Sequence, residues 1–104
     1  MRIEVTGRHM DLTPAMVQYA ESKYGKLPRY YDGVQEIRVV IEQQKHEEFH
    51  VEARADVEKH EDFVVNVTAR DLYECIDLSV DKLTRQLTDF KERLKNGKKR
   101  LGAE

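Results

Sequence analysis

The strongest constraint on this chain is the stretch from Asp71 to Lys95. Within it Ile76, Val80, Leu83, Leu87, Phe90 and Leu94 recur at alternating steps of four and three residues. In a helix of 3.6 residues per turn, that spacing gathers the apolar side chains into one stripe. Lys82, Arg85 and Arg93 project from the opposite side, and Lys91 and Lys95 flank it. The stripe has to be buried against the rest of the chain. The cations are then left in water, facing a partner of polyanionic character.

The segment before this helix has to supply the surface that covers the stripe, and its patterning does so. Arg2-Ile3-Glu4-Val5-Thr6 alternates polar and apolar and reads as a short strand. Thr13 is placed as an N-cap, with Pro14 at the first helical position and Leu12 and Val17 positioned as a hydrophobic staple. Val17, Ala20, Tyr24 and Leu27 form the expected buried stripe of this first helix, which Pro28 ends, and Tyr30 to Gly33 reads as a turn. Three strands follow. Ile37, Val39 and Ile41 alternate in the first. Phe49, Val51, Ala53, Ala55 and Val57 share one face of the second, and Phe63, Val65, Val67 and Ala69 share one face of the third. One apolar face and one wet face mark an antiparallel meander covered on one side only. Asp71 is placed to cap the long helix, with Glu74 as its capping-box partner.

The predicted order is therefore β-α-β-β-β-α. This is an α+β fold in which a four-stranded sheet carries two helices on one face. The first strand is expected to lie parallel to the second, through a right-handed crossover. Residues 1–95 read as a single domain and residues 96–104 as a basic, flexible tail.

A formal net charge of −2 conceals a strong internal asymmetry. Residues 79–100 hold eight bases and three acids, and residues 42–62 hold eight acids and three bases. Blocks of like charge also serve simply as solvated faces. The chain contains no apolar run near the ~20 residues that a membrane span requires, and its first residues lack the apolar stretch of a signal peptide. One cysteine, Cys75, leaves no internal disulfide and suits a reducing compartment. A cytoplasmic location is expected.

The sequence offers little to a catalytic reading. His46-Glu47-Glu48-Phe49-His50 matches the H-E-x-x-H pattern of zinc proteases, which works only on a helix, where residues i and i+4 converge on one metal. Here the second histidine lies in an alternating strand, along which four residues span ~13 Å. No metal site and no cofactor are expected. Cys75 lacks a positioned base and reads as a small core residue. No glycine-rich phosphate loop is present. Tyr73, at the start of the long helix, is placed either to wedge between the two helices or to reach RNA.

Asp71-Leu72-Tyr73-Glu74-Cys75-Ile76-Asp77, followed by Asp81-Lys82-Leu83-Thr84-Arg85-Gln86-Leu87, resembles the signature of the ribosome hibernation-promoting factors. That family includes the ribosome-associated inhibitor of translation. Ile3 to Gly7, Leu12 to Ala15, Lys26-Leu27 and Tyr30 to Asp32 resemble other parts of the family pattern, over about residues 1–95. Leu72 stands where the pattern has Met, and Cys75 where it has Ala.

The resemblance implies a fold similar to double-stranded RNA-binding domains and a non-enzymatic role. It implies docking to the 16S rRNA of the 30S subunit and 70S ribosome, in the tRNA and mRNA channel. Translation would be blocked sterically, and idle ribosomes preserved under stress or in stationary phase. The RNA-contacting cations it implies are Lys23, Lys26 and Arg29 on the first helical segment, and Lys82, Arg85, Lys91 and Arg93 on the second. Asp71, Tyr73 and Asp77 are the motif residues. Asp89 falls where members tend to be basic. A chain ending at Glu104 is expected to correspond to the short form, monomeric off the ribosome, with neither a membrane nor a small-molecule substrate as partner. The residues also allow a generic double-stranded RNA-binding module, a metal-dependent hydrolase built on His46, Glu47 and His50, or a protein that pairs through its sheet edges.

Overall fold

The structure is a computed structural model and describes residues 1–103, with side chains described through Asn96. The elements are β1 (Arg2–Arg8), α1 (Pro14–Tyr24), β2 (Val34–Gln43), β3 (Phe49–Val57), β4 (Phe63–Ala69) and α2 (Leu72–Ala103), with short 3₁₀ turns at Leu27–Arg29 and Lys45–Glu47. The sheet order is β1-β2-β3-β4. β1 runs parallel to β2, and the remaining pairs are antiparallel. This is the predicted topology. The backbone of α2 continues as helix to Ala103, across residues expected to form a flexible tail from 96 to 104; the side chains of 97–104 lie outside the described residues.

Alternation along the strands decides which face is covered. Ile37, Val39, Ile41, Val51, Ala53, Ala55, Val57, Val65 and Val67 are buried beneath the helices. Between them Arg38, Arg54, Asn66 and Thr68 stand exposed on the open face. Two further boundaries differ from the sequence expectation. β1 extends to Arg8, because pairing with β2 continues to Arg8 opposite Glu42, where the side chains form a 3.6 Å ion pair. Gly7 makes this extension possible: a Cβ there would lie 2.7 Å from the Met10 carbonyl oxygen as the chain folds back. α1 stops at Tyr24 rather than running to Pro28. Pro28 has no N–H to give to Tyr24, so the helix cannot continue through it. Instead the chain tightens: Lys26 N–H bonds Lys23 O at 3.3 Å, and a 3₁₀ turn follows that still buries Leu27.

α2 presents Leu72, Cys75, Ile76, Ser79, Leu83, Leu87 and Phe90 to the core. Val80 is only partly buried, and Leu94 is 44% exposed. The predicted stripe is thus correct in its middle and ends one turn early. The sheet stops beneath Phe90, where Tyr31, Phe63 and Phe90 meet edge-on and His60 stacks on Phe63 with ring centroids 4.6 Å apart. Beyond that aromatic cap the side chains of residues 91–96 are all exposed.

Candidate nucleic-acid interface

Both helix starts are set by local hydrogen bonds. Thr13 Oγ1 accepts the Met16 N–H at 3.2 Å, and Asp71 Oδ1 accepts the Tyr73 N–H at 2.9 Å. Among the described residues, the exposed Glu74 does not return the second bond of a capping box. Asp71 caps the helix alone.

With their starts fixed, the helices are joined to each other by the motif residues. Tyr19 donates to Asp77 Oδ1 at 2.6 Å, Lys23 Nζ lies 3.7 Å from the same oxygen, and Tyr73 meets the Tyr19 ring edge-on at 4.9 Å. The bond to Asp77, with burial adding to it, raises the Tyr19 hydroxyl to about 12. Deeper in the seam Tyr24 and Ser79 hydrogen-bond, and Ser79 donates to Ile76 O at 2.9 Å. Burial pushes the Tyr24 phenol well above its ordinary range. Tyr73 thus packs against α1 while staying 37% exposed.

The cations divide over the helical side. Lys23 and Lys26 line a groove between α1 and α2 together with Tyr30, Asp77, Val80, Asp81 and Thr84. Arg29 is exposed at the end of the 3₁₀ turn that follows. On α2, Lys82 and Lys91 are nine residues, about two and a half turns, apart, and so leave opposite flanks of the helix. Lys82 leans to the edge strand and donates to Asn66 O at 3.2 Å. Arg85 and Arg93 occupy shallow hollows with Asp81 and Asp89, and with Asp89 and Glu92, respectively. Lys91 instead lines an open hollow together with Lys59 of the β3–β4 turn, Leu94 and Lys95. Among the described residues, none of Lys26, Arg29, Lys82, Arg85, Lys91 and Arg93 lies in an ion pair, whereas Lys23 is held by Asp77.

Sequence reasoning passed over Lys59 and Tyr30. Lys59 sits in the acidic segment and is brought to Lys91 only by the β3–β4 turn. Tyr30 carries turn character and a place in the family pattern, and neither sets it in the groove.

The acidic segment does not form one patch. Glu42, Glu52 and Asp56 fall on the open sheet face, where Glu42 lies opposite Arg8, Glu52 opposite Val40 and Asn66, and Asp56 opposite Glu36. Arg38 bonds Glu36 at 3.0 Å, and Arg54 approaches Asp62 at 3.4 Å. The remaining acids sit in the loops at either end of β3.

Neither alternative chemistry assembles. His46 occupies the β2–β3 turn with φ of 64°, and His50 sits on β3 with its ring nitrogens 3.1 Å from Thr68 Oγ1 and 2.9 Å from Asn66 Oδ1. Cys75 is buried, with its thiol 3.2 Å from Val67 O, and burial raises its pKa. Among the described residues, no group of three histidine, cysteine or acidic side chains is arranged to hold a metal, and no helix is long and apolar enough to cross a membrane.

These features define a small α+β domain with a cation-bearing helical layer backed by an open, charge-balanced sheet. Residues 3–95 match the family described as Sigma 54 modulation protein / S30EA ribosomal protein, and the chain belongs to that family. It is 32% identical to the ribosome hibernation promoting factor of Klebsiella oxytoca, over 91% of this chain and 98% of that protein. It is 34% identical to the protein of the same name from Azotobacter vinelandii, over 89% and 85%. Among solved structures, a ribosomal subunit interface protein from Coxiella burnetii superposes with a TM-score of 0.80 at 25% identity, covering 88% of this chain and 99% of that one. The N-terminal domain of Protein Y from Thermus thermophilus gives 0.78 at 32% identity, covering 86% and 99%.

Proposed function

We propose that this protein is a ribosome hibernation factor that docks by its helical side on the 16S rRNA of the small subunit, occludes the tRNA and mRNA channel, and keeps idle 30S and 70S particles out of translation in the cytoplasm. The reading is supported above all by one observation: among the described residues Lys26, Arg29, Lys82, Arg85, Lys91 and Arg93 of the helical layer lie in no ion pair, while Arg8, Arg38 and Arg54 of the sheet each have a carboxylate partner. Lysine and arginine contacts to phosphates supply affinity and register with little base reading, and A-form RNA offers shape and 2′-hydroxyls more than sequence. Inhibition then requires only that a folded body fill the passage; no bond is made or broken. Off the ribosome the protein is a monomer.

Co-sedimentation with 30S subunits tests the proposal. Lys82→Glu with Arg85→Glu replaces two exposed cations by carboxylates and should abolish binding while the circular dichroism spectrum stays unchanged. Binding of the parent protein should weaken linearly in log K against log salt, by roughly 0.7 to 0.9 per phosphate neutralised. Generic duplex RNA should compete poorly. If it displaces the protein from ribosomes, the chain is a general duplex-binding module instead; if the double variant co-sediments normally, the α2 surface is not the site.

A further inference from the structure

Where α2 leaves the sheet, Lys59, Lys91, Leu94 and Lys95 line an open hollow of about 460 Å³. Its size falls within the range of about 300–1,000 Å³ typical of small-ligand sites. Its floor is apolar, because Leu94 is 44% exposed there beyond the aromatic cap. Its rim is cationic. Lys91 and Lys95 stand one helical turn apart, about 6 Å along the axis, and Lys59 faces them from a turn held at φ of 61°. No described carboxylate lines it. The groove containing Lys23, Lys26 and Tyr30 opens on the α1 flank of α2, the same flank from which Lys91 and Lys95 leave the helix.

We propose that this hollow is a seat for one unpaired nucleotide of an RNA strand, with the base lying on Leu94 and the flanking phosphates held by Lys59, Lys91 and Lys95. The inference rests on the RNA-docking reading above and adds a single-stranded subsite to it. Charge complementarity selects an anion. Three ammonium groups around an apolar floor match a phosphodiester chain with a planar base, since bases rest on apolar and aromatic surfaces without regard to sequence. An acidic peptide would satisfy the lysines but leave the floor uncovered.

The test is fluorescence anisotropy of fluorescein-labelled hexauridylate with the full chain at low salt, run beside 30S co-sedimentation of the same proteins. Lys91→Glu with Lys95→Glu should weaken hexauridylate binding at least tenfold. Leu94→Ser, which keeps every lysine, should weaken it severalfold. Arg38→Glu, the same change of charge on the open sheet face, should leave it within twofold. The seat is refuted if the parent protein does not bind hexauridylate, if Leu94→Ser binds as well as the parent, or if hexaglutamate competes as strongly as unlabelled hexauridylate. Any of these results with 30S co-sedimentation intact removes the nucleotide seat alone. Failure of the parent protein to co-sediment removes the ribosomal reading itself.

Discussion

The hydroxyl of Tyr19 on α1 donates a 2.6 Å hydrogen bond to Asp77 on α2, so the motif aspartate ties the helices together. Its role in the structure is to hold the cation-bearing layer as one body. Asp77→Asn keeps a hydrogen-bond acceptor but removes the charge, and Tyr19 should then titrate closer to its ordinary value of 10.0 than to about 12. The sign follows from the raised pKa. The folded protein retains a proton that the unfolded chain releases near 10, so this contribution is complete below that pH and is lost as pH climbs through about 12. Ultraviolet phenolate titration of the two proteins reads the shift. Urea unfolding at neutral pH should show Asp77→Ala less stable by about 1 kcal/mol.

Among the described residues, Ser79 is the buried polar residue of α2, and its one hydrogen is given to Ile76 O, so Tyr24 acts as donor to Ser79 Oγ. Ser79→Ala leaves a fully buried phenol without its partner and should cost about 1–3 kcal/mol. Removing the phenol hydroxyl as well, in Tyr24→Phe with Ser79→Ala, should recover much of that loss. Denaturant melts of the four proteins in a double-mutant cycle give the coupling directly. Strict additivity would show that the bond contributes nothing.

The β2–β3 turn holds two consecutive non-glycine residues in left-handed conformation, His46 at φ of 64° and Glu47 at 59°. L-residues adopt this region at a cost of roughly 1–2 kcal/mol each, and hairpins that need it favour Asn-Gly. His46→Asn with Glu47→Gly should therefore stabilise the protein by about 1 kcal/mol, seen as a rise of several degrees in Tm for a domain of this size. Both residues are exposed and lie away from the helices, so 30S binding should not change.

Phe90 and Leu94 are successive members of one apolar stripe in the sequence but not in the fold. Phe90 is 7% exposed within the aromatic cap, and Leu94 is 44% exposed beyond it. Phe90→Ala should cost about 3–5 kcal/mol, as large aromatic deletions in cores do. Leu94→Ala should fall within about 0.5 kcal/mol of the parent. Equal losses in thermal or denaturant unfolding would place the end of the core a turn further along α2.

The element order, the parallel first pair of strands and the covered face were legible in the sequence, because each rests on a local period. Strands alternate every second residue, the stripe of α2 repeats at three and four, and Thr13, Pro14 and Asp71 mark helix starts by bonds that reach only three residues. The same local information carried the division of charge between the long helix and residues 42–62, and the motif from Asp71 to Leu87 on which the family resemblance rests.

Distances between segments carry no such period, and there the fold alone decided. It set where the sheet ends, and so separated Phe90 from Leu94. It turned Lys82 to the β4 edge and Lys91 toward Lys59, because a helix docked by one stripe sends residues two and a half turns apart to opposite neighbours. It spread the acidic segment over the open face and the loops at either end of β3, and brought Glu42 to Arg8 and Asp62 to Arg54. A linear sequence records what each residue prefers within a few positions of itself; which remote group it meets is settled by packing, whose energy depends on all the elements at once.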